Sequence, residues 1–158
     1  MVLDDEHIAF MSRDAISTAI STRNHSNRSA VSKGLAVRVR ADRRTVEIFV
    51  DAERSTEVLN DVRAQSPVAV VCSEPSTHRT IQVKGPGAAI EMLAADEVQF
   101  VAGKVDALVK HIVPLGYADN AIRVYLTYTP SRLVKIVFPA SAAFLQTPGP
   151  GAGAPIKP

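Results

Sequence analysis

Between Leu35 and Val50 apolar side chains fall on every second residue, and the only interruption is the polar triplet Asp42-Arg43-Arg44. Leu35, Val37 and Val39 alternate with Ala36, Arg38 and Arg40; after the triplet, Val46, Ile48 and Val50 alternate with Thr45, Glu47 and Phe49. A period of two puts successive side chains on opposite faces of an extended strand. The segment therefore predicts an antiparallel hairpin with one apolar face and one largely polar, basic face. Such a hairpin needs a second apolar layer against which to bury its inner side.

The flanking sequence supplies that layer. Asp4 or Asp5 can cap a short helix carrying Ile8, Phe10 and Met11. Ala15 to Thr22 reads as a strand, and Arg23 to Arg28, with Asn24, Ser26 and Asn27, as a turn. Ser55 or Thr56 caps a helix whose stripe is Val58, Leu59 and Val62, ending near Ala64. Pro67 to Cys72 is an apolar strand, Ser73 to His78 a polar loop, and Arg79 to Gly85 a strand with Ile81 and Val83 on one face and Thr80, Gln82 and Lys84 on the other. From Ala95 to Val113 the period becomes helical, with Val98, Val101, Val105, Leu108 and Ile112 three or four apart, until Pro114 and Gly116 stop it. A second helical piece covers Ala118 to Leu126, and Leu133 to Phe138 is the last strand expected. This order predicts a single α+β domain over residues 1–146, an antiparallel sheet able to close into a small barrel with helices packed at its ends. Residues 147–158 are a Pro/Gly-rich tail, a composition that ordinarily means disorder.

Composition narrows the function. Eighteen basic against sixteen acidic residues leave a net charge of +2, too small to imply nucleic-acid binding. The one local excess is Arg38, Arg40, Arg43 and Arg44. Either Arg43 and Arg44 simply turn the hairpin in solvent, or Arg38 or Arg40 points into a groove and binds phosphate through its bidentate guanidinium. No apolar run approaches the ~18 residues of a membrane span, and the acidic start (Asp4, Asp5, Glu6) is unlike a signal peptide; a cytoplasmic location is expected. Cys72 stands alone among valines and reads as a core thiol, while the four histidines lack metal-ligand spacing, so no metal is expected.

Nucleophile elbows, Walker loops and dinucleotide fingerprints are absent from the sequence. What remains are a helix start and a polar strand face. Ser55 and Thr56 would either present hydroxyls and backbone N–H groups to an anion or merely cap their helix. Thr80, Gln82 and Lys84 form either a solvated face or a row of donors and acceptors along a flat ligand.

The stretch TVEIFVDAERSTEVLNDVRAQSPVAVVCSEPSTHRTIQVKGPG, Thr45 to Gly87, resembles the central region of pyridoxamine 5′-phosphate oxidase-like proteins. The shared features are a strand, the Ser55-Thr56 helix start, the Leu59 and Val62 stripe, the Pro67 to Val71 strand, the Glu74-Pro75 turn and the Arg79 to Gly85 strand. The resemblance implies an FMN-binding split β-barrel acting as a homodimer, with two flavin sites at the subunit interface and a small-molecule substrate. It implies that Arg38 or Arg40, with Ser55 and Thr56, hold the flavin phosphate, and that Arg79, Thr80, Gln82 and Lys84 lie along the ring. Phe144 and Gln146, with the tail, would cover the partner's flavin. The expected activity is that of a flavin-dependent oxidoreductase other than the vitamin-forming oxidase, with the cofactor and no protein side chain carrying the redox step. A deazaflavin or haem is the alternative ligand within the same fold. Glu57, where this family usually carries Lys or Arg, motivates a different alternative: a cofactor-free dimeric binding or regulatory module.

Overall fold

The computed structural model describes residues 2–156; Met1 and the last two residues of the tail, Lys157 and Pro158, lie outside the described residues. The described residues are α+β, with nine strands in two antiparallel sheets. Helix α1 (Asp5–Ser12) leads into β1 (Ser17–Arg23), β2 (Ser29–Gly34), β3 (Ala36–Val39) and β4 (Thr45–Asp51). Helix α2 (Thr56–Arg63) is followed by β5 (Val68–Ser73), β6 (Thr80–Gly85) and β7 (Ala89–Met92). Then come α3 (Ala95–Ile112), α4 (Asp119–Tyr125), β8 (Leu133–Pro139) and β9 (Ala142–Leu145). The first sheet has the order β2-β1-β5-β6-β9 and the second β3-β4-β8-β7.

The chain passes directly from sheet to sheet twice. At Gly34–Leu35, β2 leaves its ladder with β1 and becomes β3, so that Gly34 pairs with Thr18 while Ala36 pairs with Phe49. At Ala140–Ser141, β8 becomes β9: the Ala140 amide donates to the Arg44 carbonyl in one sheet and the Ser141 amide to the Lys84 carbonyl in the other. The first crossing needs a glycine for space: a Cβ at Gly34 would collide with Thr18 Oγ1 and lie 2.7 Å from Ile48 Cδ1.

The inner faces of both sheets meet in one core. Ile20, Val70, Ile81 and Val83 from the first sheet pack with Val46, Ile48, Val50, Ile136 and Phe138 from the second, and Phe10, Met11, Val58, Leu59 and Val62 bring α1 and α2 into the same cluster. Asp4 caps α1 as expected, accepting from the His7 amide at 2.8 Å. Ser55 occupies the N-cap position of α2 without capping it; its buried hydroxyl instead meets that of Ser32 at 2.6 Å. Cys72 is the buried core thiol anticipated, its pKa pushed up to about 12 by burial.

Helix α3 lies on the outer face of the second sheet, where Val101 packs with Leu35, Ala36, Phe49 and Leu133. This explains a departure from simple alternation: every residue of β4 from Val46 to Asp51 is buried, Glu47 and Phe49 included, because both faces of that strand are covered. The interface is charged as well as apolar. Glu97 of α3 takes Lys135 Nζ at 2.8 and 3.1 Å and Arg38 Nη2 at 2.5 Å, while Glu47 takes Arg38 Nε at 2.6 Å and Arg40 Nε at 2.8 Å. Lys104 of the same helix caps the end of α1, donating to the carbonyls of Ser12 and Arg13 and to Asp14.

Three strands escaped the sequence reading, namely β2, β7 and β9, and Leu133 to Phe138 is not the last strand. Nor is the tail free of structure over its described part. The Gly153 amide donates to the Leu145 carbonyl at 2.7 Å, the Leu145 amide to Ala154 and the Ile156 amide to Ala143, so the segment folds back along β9 within its own chain.

Gly34→Ala is expected to destabilise the protein by roughly 1–3 kcal/mol, the usual cost of overpacking, measured by urea unfolding. A second expectation concerns acid. Burial alone would raise the Glu97 carboxyl, but Lys135, the Ala94 amide and Arg38 reverse this and hold it at about 2, below its ordinary 4.5. A depressed carboxyl stabilises the fold above its unfolded pKa and loses that contribution as pH falls through the folded one. Stability is therefore expected to decline between pH 4.5 and about 2. Glu97→Gln should lack that part of the acid slope and lose about 2–3 kcal/mol at neutral pH.

Candidate functional site

A bare sheet face, one with no helix or loop packed over it, is where a ligand of some size can lie. The second sheet has none, since α3 covers it. The first sheet's outer face carries, strand by strand, Val31 and Lys33 of β2, Ala19 and Ser21 of β1, Ala69 and Val71 of β5, Gln82 and Lys84 of β6, and Ala142 and Phe144 of β9. The registers align these into two rows: Lys33–Ala19–Val71–Gln82–Phe144 and Val31–Ser21–Ala69–Lys84–Ala142. Short side chains in the middle leave a low, even floor. Among the described residues the face carries no carboxylate, and neither Lys33 nor Lys84 has an ion-pair partner.

At the β2 edge the floor runs into a cavity of about 220 Å³ lined by Val31, Ser32, Lys33, Leu35, Asp51, Arg54 and Thr127. Asp51 is the one acid there, and its carboxylate is already committed: Oδ1 accepts from the Glu53 and Arg54 amides at 3.0 and 3.3 Å, and Oδ2 from the Thr129 amide at 2.9 Å. Arg54 and Lys33 are left as a pair of like charges. Burial first, and then the Arg54 guanidinium, push the Lys33 ammonium below its ordinary value, with Asp51 opposing them. The Tyr125 ring of α4 lies 4.3 Å from Lys33 Nζ and holds the cation by its π face. Ser55 begins α2 immediately after Arg54, and the Ser32–Ser55 hydroxyl pair ties that helix start to β2 beside the cavity. The cavity thus holds two cations and one carboxylate, beside an uncapped helix start.

The expected site residues divide into three groups. Thr80, Gln82 and Lys84 belong to the bare face; Ser55 is buried, its hydroxyl joined to that of Ser32 on the inward side of β2, and the Thr56 hydroxyl is turned back to the Glu53 carbonyl at 2.8 Å. Thr80 shares a 2.8 Å hydroxyl contact with Ser73. Arg79 sits apart, its guanidinium 4.7 Å over the Phe10 ring and 2.7 Å from Glu6. Arg38 and Arg40 lie on the other sheet under α3. Arg38 is bound to Glu47 and Glu97 and stacked on Phe49 and Phe100 at 5.5 and 5.4 Å, and Arg40 is shared between Glu47 and Glu91. Their charge is neutralised, and the structure does not bring them to Ser55.

Glu57, in the first turn of α2, faces a different cleft, with Asn24, Arg28, Ser29, Ala30, Asn60 and Asp61. Its carboxylate is not among the groups lining the Lys33–Arg54 cavity. Arg54 and Lys33 are the residues that sequence reasoning missed. Arg54 was legible as the base directly before Ser55; Lys33 carried no signal, because only the fold opposes it to Arg54. No group of three or more His, Cys, Asp or Glu side chains converges as a metal site among the described residues, and no described helix is long and apolar enough to cross a membrane.

The sequence matches no protein-family model and no curated protein. The fold has clear structural neighbours, and they are pyridoxamine 5′-phosphate oxidase-like and FMN-binding proteins. A candidate pyridoxamine 5′-phosphate oxidase from Lactobacillus delbrueckii superposes with a TM-score of 0.56 at 11% identity, over 90% of this chain and 93% of that one. An F420 reductase gives 0.55 at 14% identity, over 89% and 98%. A pyridoxamine 5′-phosphate oxidase-related, FMN binding protein from Nostoc punctiforme gives 0.50 at 10%, over the whole of both chains. At such identities the likeness is one of fold.

An anion seated between Lys33 and Arg54 favours the charged form of Lys33, so its affinity is full below the Lys33 pKa and falls above it. Sulfate binding measured by calorimetry is expected to weaken as pH rises toward, but short of, the ordinary lysine value of 10.5. Lys33→Arg should keep sulfate binding flat over that range.

Proposed function

We propose that this chain is an FMN-binding protein that works as a homodimer and serves as a flavin-dependent oxidoreductase toward a small molecule. The observation that carries the proposal is the Lys33–Arg54 pair: two cations in no ion pair among the described residues, with Asp51 the one acid lining their cavity, beside an uncapped helix start and at the rim of a bare sheet face. A phosphomonoester fits that pair, since guanidinium and ammonium can share its oxygens. The residues that would hold the cofactor are therefore Lys33, Arg54 and the Ser55 helix start for the phosphate, with Gln82 and Thr80 along the ring. Arg38 and Arg40 serve the α3 interface instead.

The bound flavin would supply two-electron redox exchange with the substrate. This chain's part is binding, orientation and exclusion of water. A second copy laid over the bare face would do the last of these, and Val31, 70% exposed, and Tyr125, 60% exposed, stand at the mouth of the cavity as contacts for it. We read the two sheets together as a split barrel, because β2–β3 and β8–β9 each run from one sheet into the other. The F420 reductase among the structural neighbours supports a second reading, in which the flavin is a deazaflavin.

Fluorescence titration decides between them. FMN is expected to bind with micromolar affinity or better and to raise the melting temperature, and light scattering of the complex should give twice the chain mass. Arg54→Gln should weaken FMN at least tenfold, whereas Glu57→Gln should leave it within twofold. Riboflavin, which lacks the phosphate, should bind the wild type no better than FMN binds Arg54→Gln. Binding of a deazaflavin but not FMN would install the second reading. Failure of both to bind would leave a cofactor-free module and end the flavin proposal.

A further inference from the structure

The bare face of the first sheet is level at its centre and carries charge of one sign. Ala19, Ser21, Ala69 and Val71 make the low floor. Lys33 and Lys84 stand on it, and Arg23, exposed at the end of β1 and in register with Ser29, lies on the same face. Arg54 lines the cavity at the β2 edge. None of these four side chains is in an ion pair among the described residues. The one acid lining that cavity, Asp51, is occupied by the amides of Glu53, Arg54 and Thr129.

Shape and charge place different demands on whatever covers this face. A low floor fits a second such floor, and a two-fold axis supplies one, because an isologous contact sets a surface against its own copy. Charge is not balanced in that way. A face bearing only cations meets cations when it is laid on itself, and juxtaposed like charges oppose association. Lysine is accordingly depleted from buried interface centres. Neither copy holds the missing acid within the face, but a bound anion brings it. A phosphomonoester carries about −1.5 to −2 charges at neutral pH, and the Lys33–Arg54 cavity of each copy would receive one.

We infer that the flat face is the docking surface for a second copy of this chain, and that the anion held by Lys33 and Arg54 controls the docking: empty copies associate weakly, and phosphate-loaded copies pair. The identity of that anion as FMN rests on the function proposed above; the control itself stands on Lys33, Arg54, Lys84 and Arg23. The site is open on its outer side in a single copy, and the second copy closes it. Linkage makes the effect mutual, since the factor by which the anion strengthens the dimer is the factor by which the dimer strengthens anion binding. FMN affinity therefore rises with protein concentration.

Analytical ultracentrifugation of the full chain at low ionic strength, with and without FMN, tests this. FMN is expected to tighten the dimer by at least about tenfold, and riboflavin at saturation to leave it unchanged. Added sodium chloride should strengthen association of the empty protein by screening the facing cations, the reverse of an interface held by ion pairs. Arg23→Gln combined with Lys84→Gln removes two cations that lie outside the phosphate cavity. That double variant should dimerise without FMN at least about tenfold more tightly than the empty wild type. An empty wild type that pairs as tightly as the FMN-loaded protein overturns the inference. So does FMN uptake by a protein that stays monomeric, or an empty double variant that associates no better than the wild type. Should no FMN bind, the proposed function fails, and sulfate takes its place in the same measurements against chloride at matched ionic strength. Pairing driven by sulfate and lost in Arg54→Gln then upholds the control, and its absence sinks it.

Discussion

The ion cluster between the second sheet and α3 determines which half of this molecule is structure and which half is surface. Glu47 and Glu97 are almost wholly buried, and a buried carboxylate is tolerated only when its charge is met. Lys135, Arg38 and Arg40 meet it, with Glu91 completing the balance at the rim. Because α3 supplies one of the acids and β3, β4 and β8 the remaining partners, the helix has one place to sit. Glu97 also accepts the Ala94 amide at 2.9 Å, so the residue that docks the helix is the one that starts it. Three cations are drawn to that side, while Lys33 and Lys84 on the first sheet stand in no ion pair among the described residues.

That partition answers the question raised by the arginine-rich hairpin. Arg38 and Arg40 look from sequence like phosphate ligands because they alternate out from an apolar strand. Their acids are close at hand in Glu47 but distant in Glu91 and Glu97, and no local pattern announces a partner about fifty residues away. Arg54 is the opposite case, since it adjoins Ser55 and the helix start where an anion was already expected. Glu57 looks repulsive on paper but lines another cleft, with Asn24 and Arg28, because two residues past the Ser55 N-cap turn the helix by about 200°.

Much of the fold was open to reading where one physical pattern governed a segment. The Asp4 cap, the β4 hairpin and the long period-3.6 run of α3 each answer to local chemistry. The strands that escaped have a reason in common. In β2 the inward positions are Ala30, Ser32 and Gly34, small because the chain there crosses between sheets over Thr18 and Ile48, and small residues leave no hydrophobic alternation to detect. In β9 the inward residue is Ala143, for the same want of room. The candidate site was legible only in part, since the face is made by lateral registry among five strands, a property of pairing that no single strand carries.

The returning tail has one more effect, on the open edge of the first sheet. An open strand edge is a template onto which another chain can add without limit. Here the β9 edge is occupied by the chain's own Gly153 to Ile156, and the residue opposite Phe144 is Pro155, which has no amide hydrogen to offer a further strand. Growth by sheet extension is stopped on that side. The homodimer proposed above would use the flat face instead, where two-fold pairing closes on itself and does not propagate as a fibre.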